Sequence, residues 1–430
     1  MTLRMMRSSA LMAMLALLLS GCLGNSIIDD PGTVKRLGDE PQKTIVIWHT
    51  YSDEETILFE KEVIPAFEAE HPGIVIESVR QTHNQEYHSA LQARASAGKT
   101  PDIIRMDYTW IPVFAQRELL YPIESFPGYA EVSDQLQGRM MNTNRYAGHV
   151  YGLPLNMTTK AALYNVQLLE KLDISEPPTS FAETVKLARE HGYSLGMSDV
   201  DLWNSLPYFF ALGGNLADPS FSRTEGYLNS PASVSAMKEL LKLHKEGIIN
   251  PWLLKGNADL WREVYAPGRF LMIDEGPWYY SILLNIANTE VDLLQRTKPV
   301  PFPSDGEYRS IMGGESLVMT KGARNKEEAW TFMSWMANKQ TQLKLMDAGL
   351  IPANTEAFEA GRHSDNPVIR YLAPYMEGIE DAFYRPPIPQ WNEIEKLYNT
   401  AMEDIFMRGK DVEETLDDTA RKMDALLGSS

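Results

Sequence analysis

The stretch TIVIWHTYSDEETILFEKEVIPAFEAEHPGIVIESV, residues 44–79, decides the fold class. It begins with the short apolar run TIVIWH and ends with a second such run, IVIESV, and β-branched runs of this length are typical of buried strands. Between them Ser52 can cap a helix whose first turn is acidic. Ile57, Ile64 and Phe67 then fall on one helical face. The pattern predicts a strand–helix–strand unit.

The same alternation continues along the chain. Further strands are predicted at DIIRM (102–106), AALYN (161–165), RFLMIDE (269–275) and SLVMT (316–320), and helices at residues 86–101, 110–120, 231–247, 325–346 and 394–406. Alternating strands and helices with apolar strands indicate a parallel, doubly wound α/β sheet. Such sheets bind ligands beyond the carboxyl ends of their strands, so the residues that follow each strand are the candidates for a site.

The N-terminus has the pattern of a secretory signal. Arg4 and Arg7 precede the apolar run in ALMAMLALLLSGC (10–22), which ends in small residues and is too short to cross a bilayer. Cys22 is the only cysteine of the chain. The polar segment at 22–43 contains Pro, Gly and Asp, and its composition predicts a flexible tether.

Composition narrows the possible partners. The 430 residues include 40 Lys and Arg and 58 Asp and Glu, and removing the two arginines of the signal leaves 38 − 58 = −20. So acidic a chain argues against nucleic acid and anionic lipid as partners. With no cysteine after Cys22 there is no soft-metal site. We expect no metal, no cofactor and a monomer.

Several segments together resemble the large bacterial solute-binding proteins of carbohydrate ABC importers, the group that includes maltose-binding protein. They occur in the family's order between residues 44 and 430, and they are IVIWHTYSDEE, IPAFEAEHPGIVIE, AGKTPDIIRMDYTWIPVFAQRELLYPIE, YGLPL, ALYN, GRFLMIDEGPW, GGESLVMTKGARNKEEAWTFMSWM and IPQW. In addition, LSGC (19–22) resembles a lipobox. The resemblance implies cleavage after residue 21 and acylation of Cys22, which would anchor the protein to the membrane outside the cytoplasm.

The resemblance also implies a periplasmic-binding-protein-like fold. Two α/β lobes, each a doubly wound sheet flanked by helices, would enclose a ligand cleft and close by a hinge motion. The expected lobes are 44–152 plus 312–350 and 153–300 plus 354–430. The expected crossings lie near 151–155, 300–312 and 349–354. The implied partners are a sugar or oligosaccharide, of maltodextrin type, and the transmembrane subunits of an ABC permease.

Candidate ligand-binding residues combine rings that stack on sugar faces with polar groups that bind hydroxyls. Trp48, His49 and Tyr51 follow the first strand, at the expected edge of the cleft, although Trp48 could equally be a core residue. The Gly-Pro turn of EGPW, after the strand RFLMID, is expected to place Trp278 outside the sheet. The family resemblance supports Trp278 and adds residues elsewhere. Together they are Asp107, Tyr108, Trp110, Asn156, Asp201, Trp203, Glu275, Trp278, Gly314, Glu315 and Trp391. For Glu275 a role in bracing the turn, and for Trp391 a packing role, remain open.

Other functions remain as alternatives. Asp107, Glu275 and Glu315 could serve glycoside hydrolysis, which requires two carboxylates about 5–10 Å apart. A glycerol phosphodiester would need a cation in the cleft, and Arg105 and Arg269 are the candidates, although both are predicted inside strands. A surface receptor for polymers is the third class. We expect a binding protein with no catalytic residues.

Overall fold

The computed structural model describes residues 42–82, 89–91, 93, 94, 97, 99–250, 257–266, 268–286 and 293–428. Cys22, the predicted signal and the predicted tether up to residue 41 lie outside the described residues, as does part of the helix predicted at 86–101. Within the described ranges no helix combines the length and the apolar character that crossing a bilayer requires.

The strands form two main sheets and one short hairpin. In chain order they are β1 (Lys43–His49), β2 (Ile74–Arg80), β3 (Ile103–Asp107), β4 (Arg145–Tyr146), β5 (His149–Val150), β6 (Gly152–Thr158), β7 (Ala161–Asn165), β8 (Ser194–Gly196), β9 (Phe270–Glu275), β10 (Thr297–Pro301), β11 (Ser310–Met319), β12 (Ile351–Pro352) and β13 (Ala382–Tyr384).

The first sheet has the order β12-β6-β11-β3-β1-β2, and β13 pairs with the beginning of β11. β1 runs parallel to both β2 and β3, which confirms the strand–helix–strand unit of residues 44–79. β11, however, is antiparallel to β3 and β6, and β12 is antiparallel to β6. The wholly parallel sheet expected from the sequence is therefore wrong. β11 enters this sheet from the second one, so its direction is set by that crossing and not by a helical return.

The second sheet has the order β10-β7-β9-β8. β7 is antiparallel to both of its neighbours, and β8 is parallel to β9. The sheet is buried on both faces, since Leu163 packs into one core cluster and Tyr164, the next residue along β7, packs into the other. Burial on both faces explains why AALYN and FLMI lack the alternation of a half-exposed strand.

The crossings between the sheets differ in part from the expected ones. β6 lies entirely in the first sheet and β7 in the second, so the first crossing is at residues 159–160 and not at 151–155. The second crossing, at 302–309, lies within the expected 300–312. Near the third expected crossing, β12 is still in the first sheet. The first crossing comes later than expected because the buried run of β6 continues past YGLPL to Thr158, and its pairing with β11 keeps this run in the first sheet.

The helices flank the sheets. They are Asp53–Leu58, Ile64–Glu70, Ile111–Gln116, Tyr129–Ser133, Gly138–Thr143, Val166–Lys171, Phe181–His191, Leu202–Ala211, Pro231–Lys245, Asn257–Glu263, Trp278–Ile286, Leu293–Arg296, Lys326–Met336, Lys339–Leu345, Thr355–Arg362, Pro367–Arg370, Ala373–Gly378, Trp391–Phe406 and Val412–Leu427, with a π-helical turn at Phe59–Val63 and 3₁₀ turns at Tyr108–Trp110 and Met346–Ala348. The helix expected at 325–346 is interrupted, because Asn338 caps a new helix by accepting from the Thr341 amide.

The first helix differs from the sequence prediction in one respect, namely which apolar residues are buried. Ser52 forms the expected cap, but Ile57 is 57% exposed, whereas Ile64 and Phe67 are buried. The π-helical turn between them makes hydrogen bonds one residue longer than an α-helix does, and it rotates the preceding turn. Leu58 and Phe59 are buried in place of Ile57.

Candidate functional site

A cavity of about 680 Å³ is lined by residues that follow strands of both sheets. From the first sheet come the β1–helix turn, the end of β2, and side chains of β3, β6 and β11. From the second come Pro277, Trp278 and Ile282, just after β9. The full lining is Thr50, Tyr51, Ser52, Asp53, Glu54, Glu55, Arg80, Gln81, Thr82, Arg105, Asn156, Met157, Thr158, Pro277, Trp278, Ile282, Glu315, Gly349 and Leu350.

Arg105 on β3 forms the polar floor of this cavity, and it is only 3% exposed. Its guanidinium donates to Asn156 Oδ1 and Glu315 Oε2, both at 3.0 Å, and to Thr50 Oγ1 at 3.1 Å. Asn156 Nδ2 donates to the same Glu315 oxygen at 2.6 Å. The Arg105 guanidinium carbon lies 4.2 Å from the centre of the Tyr51 ring. The cation is thus compensated by Glu315 and fixed on three sides.

The turn after β1 forms a second wall. Ser52 and Glu55 make a capping box, in which Glu55 Oε2 accepts from the Ser52 amide at 2.8 Å. Burial raises the pKa of Glu55, although the charge of Arg105 acts in the opposite direction. Arg80, at the end of β2, donates from Nε to the Tyr51 carbonyl at 2.8 Å and forms an ion pair with Asp53. Both arginines that line the cavity are therefore paired with carboxylates.

The opposite wall is aromatic. Trp278 is half-buried, and its Nε1 donates to Glu275 Oε2 at 3.1 Å. Glu275 is buried and also accepts from Ser198 Oγ and the Gly276 amide, so it braces the turn that carries Trp278. Burial raises the pKa of Glu275. The Trp203 ring lies behind, 6.2 Å from the Trp278 ring and tilted by 32°.

Four of the predicted residues line the cavity: Tyr51, Asn156, Trp278 and Glu315. Gly314 lies beside them with a φ of +145°, and a Cβ there would stand 2.4 Å from the Asn156 carbonyl oxygen. Only glycine fits a backbone approach this close. Gly314 therefore lets β11 and β6 meet next to the cavity, a structural role that differs from the ligand contact expected of it.

Asp107, Tyr108 and Trp203 belong to a neighbouring cluster around Arg385. Asp107 Oδ2 accepts from Arg385 Nη2 at 2.8 Å, and the Arg385 guanidinium carbon lies 5.5 Å from the Trp203 ring centre. Tyr108 is fully buried, with its hydroxyl donating to the Met312 carbonyl and accepting from the Arg385 amide. Asp107, Tyr108 and Trp203 are not among the residues that line the cavity described above.

The remaining predicted residues lie in structural positions. His49 is fully buried, with Nε2 2.8 Å from Ser78 Oγ, and burial lowers its pKa to about 3. Trp391 is fully buried against Phe221 and Phe383.

Trp110 is buried, and Trp48 is half-buried under the Arg94 guanidinium. Asp201 caps the helix Leu202–Ala211, accepting from the Asn204 amide at 2.8 Å. None of the five remaining predicted residues is among those that line the cavity: Trp48, His49, Trp110, Asp201 and Trp391.

From the turn at 50–55 the sequence indicated only Tyr51 as a ligand-binding candidate, and it did not indicate the cationic floor formed by Arg105. The turn follows β1 at the sheet edge where ligands are expected, and the strand–turn–helix pattern could have pointed to it. Arg105 was considered only as a phosphate ligand. Its position inside a strand gave no sign that the guanidinium reaches the cavity, because that depends on the residues opposite it in β6 and β11.

A family model described as bacterial extracellular solute-binding protein matches residues 62–370. The chain belongs to this family. Its sequence is 25% identical over 392 residues to the maltotriose-binding protein of Pyrococcus abyssi, and the alignment covers 86% of this chain and 80% of that one. It is 24% identical over 378 residues to a chain described as a binding protein in Brucella abortus, with coverages of 85% and 89%.

A solved structure gives the same architecture. The GacH receptor of Streptomyces glaucescens, described unliganded and with acarbose, matches with a TM-score of 0.79 at 21% identity, over 90% of this chain and 99% of that one. The likeness confirms the predicted two-lobe, periplasmic-binding-protein-like α/β fold.

Proposed function

We propose that this solute-binding protein captures a neutral sugar or oligosaccharide in the cavity between the Arg105 floor and the Trp278 wall, and delivers it to an ABC permease. The observation that carries the proposal is the pairing of both cavity-lining arginines with carboxylates opposite a half-buried tryptophan. A sugar offers apolar C–H faces to a ring and hydroxyls to Asn156 and Glu315, and it brings no charge that needs compensation. Similarity to a maltotriose-binding protein and to a receptor solved with acarbose supports a saccharide.

A glycerol phosphodiester is a weaker candidate. Its phosphate would need an uncompensated cation or several free amide donors. Among the described lining residues the cations are Arg105 and Arg80, and each already has a carboxylate partner. Arg269, the other arginine suggested by the sequence, does not line the cavity.

The proposal involves binding without chemistry. Of the three carboxylates considered for glycoside hydrolysis, Glu315 holds Arg105, Asp107 holds Arg385 and Glu275 holds the Trp278 indole. Each carboxylate thus has a positional role. Membership of a solute-binding family is consistent with a protein that is not an enzyme.

Isothermal titration calorimetry on the purified protein tests which class of ligand binds. Maltose, maltotriose and raffinose are titrated beside glycerophosphocholine, and we expect saturable binding of at least one saccharide and none of the phosphodiester. Binding of glycerophosphocholine, with no response to any of the three sugars, would overturn the proposal. Trp278→Ala serves as the site control, since it should reduce whatever saccharide binding is seen.

The lobe division is also part of the proposal. One lobe comprises 44–158 plus 310–352, the other 161–301 plus 391–427, and the crossings at 159–160 and 302–309 would act as hinges. Closure should lower the radius of gyration in small-angle scattering when sugar is added. An unchanged radius at saturation, in a protein shown to be open without sugar, would contradict a hinged cleft.

Anchoring by an acylated Cys22 completes the proposal. The family name places such proteins outside the cell, and the lipobox-like LSGC supports attachment to the membrane. Two or more acyl chains anchor stably, at about 0.8 kcal/mol per buried methylene. Cys22→Ala should release the protein from the membrane fraction or leave an unprocessed precursor. Unchanged membrane association and processing would show that the lipobox interpretation is wrong.

A further inference from the structure

Lys160 occupies an unusual place at the first crossing between the sheets. It is one of the two residues that separate β6 from β7, and its side chain forms an ion pair with Asp274 of β9 in which both side chains are fully buried. Its Nζ also donates to Asn204 Oδ1 at 2.8 Å. A buried ammonium group is costly unless such partners are held in place.

The partners of Lys160 lead to both tryptophans of the aromatic wall. Asp274 directly precedes Glu275, whose carboxylate accepts from Trp278 Nε1. Asn204 directly follows Trp203, and both lie in the first turn of the helix Leu202–Ala211.

The helix that carries Trp203 is tied a second time to the same centre. Tyr208 donates from its hydroxyl to Asp274 Oδ1 at 2.7 Å. Asn204 in turn donates from its amide and from Nδ2 to Asp201 Oδ1, at 2.8 and 2.9 Å. Lys160 is thus linked to the first turn of this helix through Asn204 and to its second turn through Asp274 and Tyr208.

The backbone of Lys160 is also joined to the start of β11, directly after the second crossing. Its amide donates to Ser310 Oγ at 3.2 Å, and Ser310 Oγ donates to the Lys160 carbonyl at 3.0 Å. The neighbouring Thr159 hydroxyl donates to the Ile311 carbonyl at 3.0 Å. The first crossing and the start of β11 therefore meet at the residue whose side chain holds the two tryptophan-bearing segments.

We propose that Lys160 is a positioning residue that sets the mutual orientation of Trp203 and Trp278 and links this aromatic wall to the segments that join the two sheets. A role in ligand affinity rests on the proposed function, because it assumes that a saccharide contacts Trp278. The role in ring orientation does not rest on it, since it concerns the protein without ligand.

The test compares the Lys160→Met variant of the purified protein with the matched control variant Lys298→Met. Lys298 lies on β10 of the same sheet, but it is 35% exposed and pairs with Glu176 at the surface. We expect Lys160→Met to change the near-ultraviolet circular dichroism of the unliganded protein and to weaken maltotriose binding about tenfold or more, or about 1.4 kcal/mol. Lys298→Met should leave both unchanged.

Lys160→Met leaves Asp274 buried without its cation and could fail to fold, so a second variant is needed. Lys160→Met/Asp274→Asn removes the stranded charge and keeps a partner for Tyr208. We expect it to fold with the altered dichroism and the weakened affinity. A wild-type dichroism spectrum in this folded double variant would overturn the inference, because the rings would then be placed without Lys160. If instead the spectrum changes while Trp278→Ala binds saccharide normally, the positioning role stands and the proposed placement of the saccharide against Trp278 fails.

Discussion

Replacing Trp278 by alanine is the most direct test of the cavity as a ligand site. The ring is half-buried at the cavity wall, and a saccharide stacked on it would lose its apolar partner. Truncation of an aromatic residue at a binding hot spot costs about 2–4 kcal/mol. At about 1.4 kcal/mol per factor of ten, the affinity should fall about 30- to 700-fold.

The effect of the same change on stability can be worked out from the contacts of Trp278. The variant loses the ring contact with Trp203, about 0.5–1.5 kcal/mol, and one of three donors to Glu275. Glu275 keeps Ser198 and the Gly276 amide as donors. The free energy of unfolding without ligand should therefore fall by about 1–3 kcal/mol.

Trp391→Ala is the matched control, because this tryptophan is fully buried and lies away from the cavity. It should cost about 3–5 kcal/mol of stability while the folded fraction binds sugar normally. Urea denaturation and calorimetry on both variants provide the measurements. Wild-type affinity in Trp278→Ala, or an affinity loss accompanied by a stability loss as large as that of Trp391→Ala, would refute the assignment of Trp278 to the site.

Two further predictions concern buried charges. Glu315→Gln removes the carboxylate that compensates Arg105. Because the Glu315 side chain is 18% exposed, the loss of stability in urea denaturation should lie at the lower end of the range for buried pairs, about 3 kcal/mol. No loss would mean that solvent compensates Arg105. Glu395 lies in the helix Trp391–Phe406, and burial raises its pKa to about 7. The positive charge of Arg385 lowers this pKa, whereas the negative charges of Asp107 and Asp201 raise it. The folded pKa thus lies above the unfolded value of about 4.3, so this group's contribution to stability is present below about pH 4 and is lost as the pH rises through 7. In thermal unfolding, the free energy of unfolding of Glu395→Gln should therefore equal that of wild type near pH 4 and exceed it by up to about 3–4 kcal/mol at pH 8. An equal difference at both pH values would contradict the raised pKa.

Local patterns in the sequence predicted many elements well. The stripe over 394–406 became the helix Trp391–Phe406, with Ile394, Tyr398 and Met402 buried. The apolar runs at 44–49 and 161–165 became β1 and β7. Such elements depend on a periodicity that neighbouring residues carry themselves. The π-helical turn at 59–63 and the antiparallel direction of β11 have no comparable local signal.

The candidate site was predictable only where a local turn decides it. The Gly276-Pro277 turn after an apolar strand indicated Trp278, and Asn156 and Glu315 were placed by the family resemblance. His49 and Trp391 are also ring-bearing candidates at the end of a strand or the start of a helix, yet both are fully buried in the structure. A tryptophan in a core and a tryptophan in a cleft have the same local sequence signature, since only the packing of distant segments separates them.

The sequence by itself determined the fold class, the alternation of strands and helices, and the apolar positions that form the two cores, because these follow from periodicity and turn chemistry within short segments. Tertiary structure alone decided which polar groups meet. Arg105, Asn156 and Glu315 are far apart in the chain, and they form one cluster because β3, β11 and β6 are neighbours in the sheet. Lys160 and Asp274 likewise become a buried pair only when the first crossing passes beside β9. A buried charge requires a partner, but the partner's identity depends on strand order and register, which no single segment of the sequence contains.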